Sequence, residues 1–127
     1  MAGKLTISTL NDSSGVFATQ NAMSGICQAW IDYSNSAQTI KASFNVSSVT
    51  YNGTGDFTIN FTTALADANY AITGFTRNNN ASPNAIVSLS ATSTSTKTSS
   101  ALQVQTTYWN GAYGTANVTD ACVAIFR

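Results

Sequence analysis

The segment 52–61, NGTGDFTINF, restricts the fold more than any other stretch of the chain. Asn and Gly tolerate the positive φ that a two-residue hairpin turn requires, so Asn52–Gly53 predicts a tight reversal. After it, Phe57, Ile59 and Phe61 alternate with Thr58 and Asn60. Side chains of a strand point to opposite faces in turn, so this period predicts a strand with one buried and one wet face. A strand of that kind is stable only inside a sheet that a second layer covers.

The rest of the sequence supplies the partners. GICQAWIDY reads as a strand closed by the turn residues SNSAQ, and TIKASFNV as its hairpin arm, with Ile40, Ala42, Phe44 and Val46 on one face. SSVTY precedes the NGTG turn. The bend TALADAN leads to the strand YAITGFT and then to RNNNASPNA, a loop holding the sole Pro. IVSLSAT and ALQVQTTY are two further strands, separated by STSTKTSS, a polar loop without an apolar anchor. WNGAYGTANVT is a loop, and DACVAIFR closes the chain as a strand. About eight strands with a turn signal roughly every ten residues predict an all-β fold. We expect a single antiparallel β-sandwich, jelly-roll-like, over residues 25–127, without helix. The apolar strands 25–33 and 120–127 should be neighbours, since neither suits an exposed edge. Phe44, Phe57, Phe61 and Phe126 are the expected core rings. Trp30 lies opposite Cys27, Ala29 and Ile31, covering a second core layer or a subunit contact. Residues 1–24 are weakly patterned, with a short strand candidate at 5–9. They read as an N-terminal arm or linker, with Leu5, Ile7 and Leu10 as its assembly contacts.

Composition narrows the chemistry. The chain has 127 residues, enough for one domain with a modest core. Charged residues are 8 % of it, against about 25 % in an average domain. With zero net charge and no basic cluster, charge argues against nucleic acid or an anionic membrane as partner. No apolar run reaches the roughly 18 residues of a membrane-spanning helix. The N-terminus lacks the apolar region of a signal peptide, which implies synthesis in the cytoplasm.

The chain has no His, and its five acidic residues are all Asp, at 12, 32, 56, 67 and 120. The usual proton carriers and metal ligands are therefore scarce. Asp32 and Asp120 flank predicted strand ends; Asp56 and Asp67 fall in turns, where Asp commonly bonds its own backbone. A two-carboxylate glycosidase needs a convergent pair, which no spacing suggests. Calcium at Asp56 would need a loop richer in ligands than NGTGD. Serine occurs in no Gly-x-Ser-x-Gly elbow and has no His partner. The reading is a protein with no catalytic residues, no metal and no cofactor. Cys27 and Cys122 lie in apolar strand-like runs, as small free core residues or as a disulfide pair.

What remains for contact is aromatic and amide side chains. In YWNGAYG, Tyr108, Trp109 and Tyr113 flank a Gly/Asn turn that includes Asn110. Rigid rings give contact area at low entropy cost, as in sugar- and protein-binding surfaces. The alternative is that Trp109 plugs the end of the sandwich. Asn78 and Asn79 in the loop 77–85, with the loops 93–100 and 109–119, complete the expected contact region.

The segment 27–73, CQAWIDYSNSAQTIKASFNVSSVTYNGTGDFTINFTTALADANYAIT, resembles the C-terminal module of tailed-bacteriophage tail-fibre and other virion proteins. The resemblance rests on Ala29–Trp30–Ile31, Ala42–Ser43, Asn45–Val49, Asn52–Leu65 and Asp67–Tyr70, and on the closing Val123–Arg127. Residues 77–119 carry none of it. It implies a structural virion protein, homotrimeric and in contact with other virion proteins. The implied role is that of a tail-fibre or tail-tip module touching the host surface, with host-surface carbohydrate as a candidate partner. A capsid decoration protein on the phage head and a free carbohydrate-binding module are the alternatives.

Overall fold

Strand pairing divides the chain into two antiparallel sheets and a separate hairpin. The computed structural model describes residues 9–12, 15–18, 26–77, 86–90, 95–109 and 111–127, the segments 9–12, 15–18 and 86–90 by backbone alone. Strands β1 (Thr9–Asp12) and β2 (Gly15–Ala18) pair with each other as a two-stranded sheet. Of the expected strand at 5–9 only Thr9 is described, as the first residue of β1, and the rest of it lies outside the described residues.

The first large sheet contains β3 (Cys27–Ser34), β4 (Thr39–Phe44), β7 (Ala71–Arg77) and β11 (Asp120–Phe126), in the order β4-β3-β11-β7. The apolar strands β3 and β11 are its two interior members, as their composition requires. The second contains β5 (Val46–Gly53), β6 (Asp56–Phe61), β8 (Ile86–Ser90), β9 (Ala101–Trp109) and β10 (Tyr113–Thr115). Its order is β10-β9-β6-β5, with β8 also on β9. Thr107 pairs with both Ser88 and Thr115, so β8 and β10 lie on opposite sides of β9. Among the described residues there is no helix, and the architecture is a β-sandwich.

The core lies between the sheets, where alternate residues of four strands meet. Ala29, Ile31 and Tyr33 of β3 and Ala121, Val123 and Ile125 of β11 face Phe57, Ile59 and Phe61 of β6 and Leu102 and Val104 of β9. Tyr33 and Phe57 join the layers directly, with ring centroids 5.0 Å apart. Buried polar groups are paired across the layers too. Asn35 donates to Thr106 Oγ1 at 3.2 Å and accepts from the Val118 N–H, which offsets the cost of burying its amide.

Three local devices depart from the sequence expectation. A bulge at Lys41 shifts the β3–β4 register: Tyr33 pairs with Ile40 but Asp32 with Ala42. One extra residue reverses every side chain beyond it. By register Ile40 therefore stands on the Tyr33 side of the sheet, at its exposed edge, while Ala42 and Phe44 face outward. Phe44 is not core; it is 55 % exposed. Phe126 is half-buried on the same outer face.

Asn45 then ends β4 with φ 56°, turning the chain from one sheet to the other. Its amide donates to Gln28 O and Thr63 O, both at 3.1 Å, and accepts from the Thr63 N–H at 2.8 Å. The third device concerns the NGTG hairpin, which forms with its two turn residues at Thr54–Gly55. Asn52 is instead a bulge in β5, and Gly53 pairs with Asp56.

Candidate functional site

The sandwich has two outer faces of opposite chemistry. On the five-stranded sheet, the polar half of each alternation points out: Ser48 and Thr50 from β5, Asp56, Thr58 and Asn60 from β6, Gln103 and Gln105 from β9. Asp56 is the hub. Its carboxylate accepts from Gln103 Nε2 at 2.8 and 3.1 Å, from Gln105 Nε2 at 2.9 Å and from Asn52 Nδ2 at 2.9 Å. Asn52 also donates to Thr58 Oγ1 at 2.9 Å, and Asn60 donates to Ser48 Oγ and Thr50 Oγ1, both at 3.1 Å. Partial burial pushes the Asp56 carboxyl up, but the amide donors outweigh it and hold it below the usual carboxylate range. Asp56 therefore bonds side chains across the sheet rather than its own backbone, contrary to the turn reading. Its oxygens are occupied, and it stays ionised as a fixed acceptor.

Farther along β9 on this face stand Trp109 and Tyr113, paired directly across the β9–β10 hairpin. Their rings meet edge to face at 6.4 Å, and they are 55 % and 73 % exposed. These two expected contact residues come together, from paired strand positions rather than from a loop. Trp109 does not plug the sandwich. Tyr108 goes the other way: it alternates with Trp109, and its ring lies against Gly114, where an added Cβ would sit 2.5 Å from it. Asn78, Asn79 and Asn110 lie outside the described residues, as do Leu5 and Ile7; Leu10 is described by its backbone in β1.

The loop expected at 93–100 is tied down over 95–100. Thr98 N–H donates to Ala101 O at 2.9 Å, and Gln103 N–H to Thr96 O at 2.7 Å. The buried Tyr70 hydroxyl donates to Thr98 O at 3.1 Å, and Lys97 Nζ lies 4.8 Å from the Tyr70 ring. Asp67, three residues earlier, accepts the Asn69 N–H at 2.7 Å, the local bond expected of a turn Asp.

The outer face of the four-stranded sheet is apolar. By register it presents Phe44 and Ala42 from β4, Trp30 and Asp32 from β3, Cys122 and Ala124 from β11, and Phe75 from β7. Trp30 is 40 % and Phe75 59 % exposed, so Trp30 lies outward as its alternation required. Asp120 sits buried at one end, bonded by Lys41 Nζ and Arg77 Nε. Asp32 lies within β3 rather than at its end, and its Oδ1 is buried without a hydrogen-bond partner among the described residues. Both cysteines are free and sit at opposite ends of the β3–β11 ladder. Burial pushes the Cys122 thiol up, as does the charge of the neighbouring Asp32, against the pull of Lys41 and Arg77. It is a protonated, unreactive thiol.

The Asp56 network is the part of the site that sequence reading missed. Its signal was present: Asp56, Thr58 and Asn60 alternate as regularly as the Phe and Ile between them, and so do Gln103 and Gln105. Comparison of the chain with protein-family models, with curated proteins and with solved structures gave no match.

Proposed function

We propose that the chain is a structural bacteriophage virion protein, a tail-fibre or tail-tip type module that assembles with copies of itself and contacts the host surface. The observation that carries this reading is the opposition of the two outer faces. One sheet turns aromatic rings to solvent, and exposed apolar patches of that kind mark protein contacts. The other turns out hydrogen-bonding groups and a ring pair, suited to a polar ligand. The resemblance of residues 27–73 to phage virion modules points the same way.

The apolar face is the subunit contact of a homotrimer. A neighbouring copy would cover Trp30, Phe44 and Phe75 and bring a donor to the unpaired Asp32 oxygen, a group that a native interior rarely leaves unsatisfied. The test combines mass and function. Light scattering on the full chain at micromolar concentration is expected to give a trimer, and Phe44→Asp a folded monomer, because the new charge would have to be buried in the contact without a partner. The labelled trimer should adhere to host cells, and the monomeric variant should adhere more weakly for want of multivalency. A native chain that is monomeric, or a trimer that leaves host cells bare, would overturn the reading.

A further inference from the structure

The outer face of the five-stranded sheet has properties that a merely solvated face does not need. Wet sheet faces are commonly covered by long charged side chains, which stay mobile. Here the positions carry short amides and hydroxyls bonded to one another across three strands. The Asp56 carboxylate accepts only, so every amide touching it must present its NH2. That fixes which way Asn52, Gln103 and Gln105 point. Asn52 Oδ1 and Gln105 Oε1 are thereby turned away from the hub as acceptors, while Gln103 Oε1 takes the Thr96 N–H at 3.2 Å. Such side chains have already lost their rotamer freedom, so a ligand that bonds them does not bear that cost.

On the same side of the sheet by alternation, the Trp109–Tyr113 pair lies four residues along β9 from Gln105, with the buried Thr107 between them. At about 3.4 Å per residue the two features are about 14 Å apart. One hexose cannot reach both.

We propose that this face is a binding site for a neutral polysaccharide, one sugar stacking on Trp109 and Tyr113 and the next units bonding the amide platform around Asp56. The inference rests on the host-contact reading above and gives that contact its ligand class. Sugar rings offer apolar C–H faces to an indole and hydroxyls that both donate and accept, which matches the two halves of the site. The one carboxylate is saturated by amides and no cation stands in the network, so nothing here selects a charged chain.

Surface polysaccharide extracted from host cells is the probe, immobilised and offered to the intact trimer. Binding is expected, nearly independent of salt, and lost when periodate has cleaved the vicinal diols of the polymer. Trp109→Ala and Gln105→Leu, both at positions outside the core, should each weaken it at least about tenfold while circular dichroism shows the β fold retained. Whole-cell adhesion separates the two claims. If the trimer adheres to cells but binding survives periodate, or both variants bind like the native chain, this site is wrong while host contact stands. Protease-sensitive, periodate-resistant adhesion would mean a protein receptor and would equally overturn the site. If the trimer does not adhere at all, the host-contact reading itself fails.

Discussion

Replacing Phe57 by Ala is expected to destabilise the protein by about 3–5 kcal/mol. Phe57 is fully buried, pairs with Tyr51 and Val104 in its own sheet and meets Tyr33 of the other. Truncation removes the transfer free energy of a ring and leaves a cavity between layers that are both held by backbone ladders, so the site collapses only in part. At fixed protein concentration the melting temperature should fall on the order of 15 °C. Phe57→Leu, which keeps most of the volume, should cost much less. A loss below about 1 kcal/mol for the Ala variant would show that the core does not centre on this ring.

Gly55→Ala should be nearly as damaging, for a different reason. Gly55 has φ 69°, and a Cβ there would lie 2.7 Å from Thr106 O, 2.8 Å from Ala116 N and 2.9 Å from the Thr115 Cβ. The backbone cannot retreat, because Gly55 N–H donates to Asn117 Oδ1 at 2.8 Å and Gly55 O accepts the Thr106 N–H at 2.7 Å. The left-handed conformation costs Ala about 1–2 kcal/mol and the overpacking about 1–3 kcal/mol, so the loss should be about 2–5 kcal/mol. Gly111→Ala is the comparison. Gly111 has φ 96° with nothing near its Cβ position, so only the conformational part applies. Denaturant unfolding of both variants checks this; equal losses would mean that the close approach at Gly55 carries no cost.

What could be read from the sequence was whatever depends on alternation within one strand. DFTINF announced its buried face, and the apolar runs of β3 and β11 announced that neither is an edge. Parity alone put Trp30 on the face opposite Ala29 and Ile31, leaving a second core layer or a subunit contact as its alternatives. The failures arose where one residue changes the count. Lys41 is a bulge, and nothing in TIKASF marks it, so Phe44 was put in the core when it lies on the surface. Asn45 looked like a strand residue because the corner it makes is fixed by Gln28 and Thr63, which lie far from it in sequence. The bulge at Asn52 likewise moved the hairpin turn two residues along.

The contact site was half legible. Trp109 and Tyr113 stood out as exposed rings, but adjacent strand residues face opposite ways, so Tyr108 could not have joined them. The Asp56 hub depends on β6 pairing with β9, more than forty residues away. No local pattern states that pairing.

The central claim, that this is a virion protein for host contact, is tested most directly by quantitative mass spectrometry of purified particles of a phage whose genome carries the coding sequence. The account predicts that the chain is present, in whole multiples of three per particle and at a stoichiometry matching the tail proteins. Its absence from particles would contradict the claim outright. A copy number comparable to that of the major capsid protein would contradict the tail assignment and make it a decoration protein of the head.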